Sequence, residues 1–256
     1  QIAPSVLGAA ADGTAAADDF IEGAITDCFV ATDVYSMVLA YDDSKFPDAK
    51  PASPADFFDT AKFPGKRGII KRPKYALEFA LLADGVPAAE VYDVLSTPEG
   101  VDRAFKKLDT IKKDVVWWES GAQAPQLLAD GEVVMTTAYN GRITGLNRTE
   151  GTNMQIVWPQ SIYAVDSWSI LKGAENKDAG MDFIAFASKP ENQVKLPQYI
   201  AYGLPNKEAA AAVPPELAKD LPTSPENMAN SIALDVDFWI DNSEELTERF
   251  NAWVAQ

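Results

Sequence analysis

The chain contains no histidine, which removes the usual general base near neutral pH and the commonest nitrogen ligand of transition metals. Hydrolytic triads that pair serine or cysteine with histidine are excluded with it. Its one cysteine, Cys28, cannot close an intrachain disulfide, and beside Phe29 it is expected to be a small buried hydrophobe. Basic residues are scarce, 22 against 38 acidic ones, for a formal charge of −16. A surface of that sign repels phosphate, so nucleic acid is not an expected partner. No apolar run is long enough to cross a bilayer, so the chain is not expected to span a membrane. Gln1-Ile2-Ala3-Pro4 does not open like a secretory signal, so any signal is expected to have been removed or never to have been present.

What is present is a composition that folds. With 256 residues, 47% hydrophobic and 23% charged, the chain can bury a large apolar core and suits one big domain or two lobes. From Cys28 to Asp42, "CFVATDVYSMVLAYD" is rich in β-branched and aromatic residues and is expected to hold two extended segments in succession. A connection with Pro47, Pro51, Pro54 and Pro64 follows, in which Ser53 can cap a short helix. "GKRGII" reads as a strand, and "RPKYALEFALLADG" as a helix begun by Pro73 and closed by Gly85. "TPEGVDRAFKKLDTIKKD" is the clearest helix, capped by Thr97, with Val101, Ala104, Phe105, Leu108 and Ile111 at helical spacing. Its lysines read as a solvated face.

The stretch Glu119 to Gly145, "ESGAQAPQLLADGEVVMTTAYNGRITG", predicts a helix ended by Gly131, a buried strand over Glu132–Thr137, and a polar turn carrying Tyr139 and Arg142. "VVWWES", "QIVWP" and "DSWSILK" read as further strands, and this alternation favours an α/β fold with a largely parallel sheet. After Lys172 the pattern turns helical, through "DAGMDFIAFASKPENQ" and "QVKLPQYIAYG". In the closing "NSEELTERFNAWV", Asn242 and Glu245 have capping-box spacing. Trp117, Trp118 and Trp158 are read as core rather than as a ligand platform.

Several blocks in a fixed order resemble a known family. They are "FPGKRGI" (63–69), "ALEFALLADGV" (76–86), "SGAQAPQLLADGEVVMTTAYNGRI" (120–143), "VWP" (157–159), "YAVDSWSI" (163–170), "FASKPENQ" (186–193) and "YGLPN" (202–206). Together they resemble the extracellular solute-binding proteins of bacterial ABC importers, in the spermidine/putrescine-binding branch. The resemblance implies an α/β, bilobal, periplasmic-binding-protein-like fold of type II, with two mixed or parallel sheets flanked by helices and a solute held between lobes. Against the family pattern lobe one is expected to be incomplete. Residues 1–31 would end its first half, 32–161 would form lobe two, and 162–256 would form the returning half of lobe one. The apolar faces of the helices after Lys172 would then need a missing N-terminal segment or a second chain to cover them.

The resemblance also implies a periplasmic or other extracytoplasmic location, an ABC permease of the inner membrane as partner, and a small amine as solute. By motif position Asp166 matches the family's ammonium-binding aspartate, Tyr139 the aromatic usually found as tryptophan, and Tyr202 a lobe-one tyrosine. Glu119, Ser120 and Gln123 sit at the strand-to-helix turn of the same crevice, with Tyr163, Trp168 and Trp239 as further aromatic candidates. The polyamine pattern's second tryptophan is absent, since Ala164 precedes "VDS". Arg142 is a poor neighbour for a dication, yet its planar fork can hold a carboxylate bidentately. Asp166 and Arg142 together would clamp a zwitterion such as 4-aminobutyrate; the alternative is that Arg142 points away into a structural salt bridge.

Other patterns carry less. "SILK" fits a serine–lysine nucleophile without its companion motifs, and "DVDFWIDNSEE" has calcium-like acids without the turn glycine. No cofactor or metal is therefore expected. The chain reads as a binding protein rather than an enzyme, the alternatives being an enzyme or sensor on the same scaffold or a ligand-free interaction fragment.

Overall fold

Val30–Asp42 forms one uninterrupted strand, β1, where two segments were expected. No glycine or proline interrupts these residues, and a run of β-branched and aromatic side chains has no local reason to turn. In the computed structural model, which describes Leu7 and residues 13–256, five further strands follow. They are β2 (Arg67–Ile70), β3 (Val115–Trp118), β4 (Met135–Tyr139), β5 (Met154–Trp168) and β6 (Ile232–Ala233). The six form one sheet in the order β3-β2-β4-β1-β5-β6. β2 runs parallel to β3 and β4, and β5 parallel to β6, but β1 pairs antiparallel with β4, so the sheet is mixed rather than largely parallel. β5 joins "QIVWP" to Trp168 in one strand and stops before "SILK".

The chain divides into two compact units: a first unit of Gln1–Ser36 with Ala164–Met228, and a second of Met37–Tyr163 with Ala229–Gln256. Ala229–Gln256 thus groups with Met37–Tyr163, and the reason is burial. The C-terminal helix Val236–Val254 buries Trp239, Phe250 and Trp253. Phe250 lies 5.6 Å from Trp117 and 6.4 Å from Phe105, ring to ring, while the Trp239 Nε1 donates to Glu78 Oε1 at 2.8 Å. That helix is capped by Asp235, whose carboxylate accepts from Phe238 N at 2.8 Å, so Asn242 and Glu245 lie inside it rather than at its start.

Elsewhere in the second unit the local signals act as expected. Ser53 Oγ accepts from Asp56 N at 3.2 Å and Thr97 Oγ1 from Gly100 N at 3.1 Å, each at the head of its helix, Pro54–Phe58 and Pro98–Asp109. Gln123–Ala129 is helical and Gly131 follows with φ of 69°. Two expectations fail. The helix Pro73–Ala83 is broken at its head, where Lys74 is extended and Tyr75 has φ of 73°, so regular turns begin after Tyr75. The polar turn at Tyr139–Arg142 is instead the head of an 11-residue helix, Asn140–Glu150, ended by Gly151 with φ of 68°.

Among its described residues the first unit has small apolar clusters around Phe20, Val30 and Ile184 and around Leu204, Val213 and Leu221. Besides β1 and β5 its described backbone pairs through isolated bridges, Phe20 with Asn206 and, from β1 itself, Val30 with Ile25 and Val34 with Gly203. "QVKLPQYIAYG" makes only the short 3₁₀ turn Leu196–Gln198, because Pro197 denies it a helix. Cys28 is exposed, contrary to expectation. It lies in a turn where Thr26 Oγ1 accepts from the backbone N–H groups of Cys28 and Phe29, and Cys28 is not part of the cluster that holds Val30.

Candidate functional site

Ligands of open α/β sheets bind beyond the carboxyl ends of parallel strands, and in the second unit β2, β3 and β4 end together. Ile70 and Trp118 are register partners at the ends of β2 and β3, and Tyr139 closes β4. A cavity of about 300 Å³ lies there, lined by Ile70, Lys71, Arg72, Glu119 and Asn251. Tyr139 is half-buried and fixed on two sides. Its ring meets Trp118 edge-on at 6.2 Å, and its hydroxyl accepts from Arg72 Nη2 at 2.6 Å. Gly121 packs closely here: a Cβ on it would lie 3.0 Å from the Tyr139 ring, so a larger residue would have to displace that ring slightly.

The strand-to-helix turn that follows β3 is held by one side chain. Gln123 Oε1 accepts from the backbone N–H groups of Glu119 and Ser120, both at 2.8 Å, and Glu119 pairs with Lys71 at 3.0 Å. Arg142 is exposed in the first turn of the helix Asn140–Glu150. Among the described residues it has neither hydrogen bond nor ion pair, so the structural salt bridge considered for it does not form. Tyr163 is half-buried on β5 opposite Ala233. Trp239 is buried, with its indole committed to Glu78. Glu78 also accepts from the Tyr92 hydroxyl at 3.2 Å, and full burial pushes its carboxyl up to about 7.

In the first unit the expected residues are Asp166, Trp168 and Tyr202. Trp168 packs edge-on against Phe183 at 5.2 Å, and Tyr202 lies 6.1 Å from Tyr35, ring to ring. Asp166 sits near the end of β5, its carboxyl raised above the usual range by partial burial. Beside it stands a residue that sequence reasoning passed over. Asp33 lies on β1, and Thr32 Oγ1 is 2.8 Å from Asp33 Oδ2 and 3.2 Å from the Asp166 carbonyl oxygen. Desolvation is the main cause that takes the Asp33 carboxyl up to about 6; the Thr32 hydrogen bond opposes it and the Asp166 charge adds to it. The signal was visible, an aspartate inside the largely apolar "CFVATDVYSMVLAYD". Arg72, which orients Tyr139, was missed for a different reason: a lone arginine after a strand carries no pattern.

The donor set excludes some chemistry. Among the described residues no group of three or more His, Cys, Asp or Glu side chains could hold a metal ion, and "DVDFWIDNSEE" runs into the C-terminal helix instead of a metal loop. No helix among them is long and apolar enough to cross a membrane. The first unit carries carboxylates, exposed at Asp166 and half-buried at Asp33, and the second carries the exposed guanidinium of Arg142 and the fixed ring of Tyr139.

Residues 5–225 match the family described as bacterial extracellular solute-binding protein. The chain is 51% identical over 237 residues to the gamma-aminobutyric acid-binding protein of Pseudomonas aeruginosa PAO1, covering 93% of this chain and 67% of that one. It is 29% identical over 125 residues to the spermidine/putrescine-binding periplasmic protein of Salmonella typhimurium LT2, covering 48% of this chain and 35% of that one. A solved structure of a GABA receptor is similar with a TM-score of 0.82 at 40% identity, over 94% of this chain and 72% of that one.

Proposed function

The chain belongs to the bacterial extracellular solute-binding proteins and has their periplasmic-binding-protein-like α/β fold, and from that premise we propose that it binds a small ω-amino acid of the 4-aminobutyrate (gamma-aminobutyric acid) type. In this reading it works outside the cytoplasm and delivers the solute to an ABC permease without altering it. Within the first unit Asp166, with Tyr202 and Trp168, is the candidate for an ammonium group; within the second Arg142, with Tyr139 and the turn at Glu119, Ser120 and Gln123, is the candidate for a carboxylate. Tyr163 is a further aromatic candidate, and Trp239 is left out because its indole is committed to Glu78.

The observation that carries the proposal is the unpaired state of Arg142. A guanidinium beside a dication is repulsive, whereas beside a carboxylate it forms two parallel charge-assisted hydrogen bonds. The name of the relative that shares 51% identity supports the same ligand class. Calorimetric titration with 4-aminobutyrate and with putrescine tests it. Hydrogen bonds to charged groups contribute about 1.5–3 kcal/mol, so Arg142→Ala should weaken 4-aminobutyrate about ten- to a hundredfold and leave putrescine unaffected or improved. Asp166→Asn should weaken both. Unchanged affinity for the amino acid in Arg142→Ala would remove the clamp, and conversion of the solute would move the chain to an enzyme.

A further inference from the structure

We infer that Asp33 is a second ammonium-binding carboxylate of the first unit and that docking of an amine drives a proton off it into solvent. The inference deepens the function proposed above and rests on its amine end.

Position comes from register. Val34 bridges Gly203 antiparallel, so Tyr35 stands opposite Tyr202 and the two rings meet at 6.1 Å. Asp33 and Tyr35 are two residues apart on β1 and share a face, which places the carboxylate on the side that carries Tyr202. Asp166 reaches the same place from β5 through its carbonyl contact with Thr32. The charged group facing Asp33 is therefore Asp166, and among the described residues neither acid has a cationic partner.

Counting protons shows why a ligand is wanted. Thr32 Oγ1 carries one hydrogen and has two acceptors in reach, Asp33 Oδ2 at 2.8 Å and the Asp166 carbonyl at 3.2 Å. With Asp33 protonated on Oδ2, that proton goes to Thr32 Oγ1 and the hydroxyl is free to serve Asp166. With Asp33 ionised, Thr32 must turn to Oδ2, and the buried Oδ1 has no donor at all. A buried carboxylate oxygen without a donor is unfavourable. An ammonium group docked beside the two acids supplies a countercharge to both, which favours the ionised Asp33 carboxylate. The exchange balances: the carboxyl O–H bond breaks, the proton enters bulk water, and the ionised carboxylate is balanced by the charge of the ligand ammonium. Because desolvation holds the Asp33 carboxyl near 6, the empty site is partly protonated in mild acid and ionised above neutrality.

The test is calorimetry of the whole chain with 4-aminobutyrate, and in parallel putrescine, in two buffers of different ionisation enthalpy. At about pH 5.5 the heats should differ between buffers by a substantial fraction of one released proton, and at about pH 8 they should agree. Affinity should fall about tenfold between pH 8 and pH 5. Asp33→Asn should abolish the release and flatten the profile. Thr32→Val, which removes the donor favouring the ionised form, should move the profile's midpoint to higher pH. Amine binding with no proton release near pH 5.5, or release that persists in Asp33→Asn, overturns the inference while leaving the proposed function intact. If neither amine gives heat in any buffer, the functional reading itself falls and takes this one with it. Should Asp33→Asn fail to fold, the buffer comparison on the unaltered protein and Thr32→Val decide between the same outcomes.

Discussion

The second unit encloses its aromatic rings, whereas the first displays them. In the second, Phe250 and Trp253 are buried and meet Trp117 and Phe105, and a fully buried arginine, Arg67, donates to the carbonyls of Phe57, Gly65 and Phe63. In the first, Phe29, Leu171, Phe183, Phe186 and Tyr199 are all about half exposed or more, with Tyr199 at 83%. The contrast separates two kinds of stability. A region that buries large rings around a continuous sheet gains most of its free energy from area removed from water. A region held by isolated bridges and small clusters depends on a few hydrogen bonds. The proposed anion-binding groups stand on the first kind of support and the proposed amine-binding groups on the second.

The sharpest way to break this contrast is to open the aromatic cluster. Phe250→Ala removes a fully buried ring between Phe105, Trp117 and Trp253. It should destabilise the second unit by about 3–5 kcal/mol, read as a lower denaturant midpoint with tryptophan fluorescence as the probe. A loss below about 1 kcal/mol would mean that the second unit does not rely on this cluster.

Somewhat smaller is the effect of Glu78, the buried acid that receives hydrogen bonds from Trp239 and Tyr92. Its folded value, up to about 7, lies above the ordinary 4.5. The stabilisation linked to its proton is therefore complete below pH 4.5 and is lost as pH rises through about 7. Relative to Glu78→Gln, the unaltered protein should lose about 3 kcal/mol between about pH 4.5 and pH 8, measured by denaturant unfolding at each pH. Parallel pH profiles for the two proteins would show that Glu78 keeps one charge state throughout.

Much of the second unit could be read from its residues because its punctuation is local. Ser53, Thr97 and Gly131 each act within one turn of where they stand, and the strands "GKRGII" and "VVWWES" are bounded by such signals. The helix Asn140–Glu150 escaped for the opposite reason. Gly141, Gly145, Asn140 and Asn147 are weak helix formers, and its fold is decided by packing of Asn140, Ile143 and Thr144. Membership of the C-terminal helix in the second unit was invisible because the contacts that fix it, Trp239 with Glu78 and Trp253 with Asp109, each span more than a hundred residues. Of the proposed site, Asp166, Tyr139 and Tyr202 were named from motif position alone. Asp33 and Arg72 carry no motif, and only the hydrogen bonds to Thr32 and Tyr139 single them out.

The smallest of these effects tests the first unit on its own terms. Asn206 is buried and works in two directions: its Nδ2 donates to Asp19 Oδ2 across the Phe20 bridge, and its Oδ1 accepts from Ala209 N at 2.7 Å to cap the helix Lys207–Ala211. Asn206→Ala removes a cap and leaves the Asp19 carboxylate without that donor, which should cost about 1–2 kcal/mol. Because "YGLPN" also carries Tyr202 beside the Val34–Gly203 bridge, the loss should appear locally, as faster amide hydrogen exchange at Val34 and Gly203 with little change in the denaturant midpoint of the second unit. Equal slowing or equal acceleration of exchange in both units would instead mean that they open as one cooperative body, and the contrast between an enclosed and a bridge-held region would then describe packing alone.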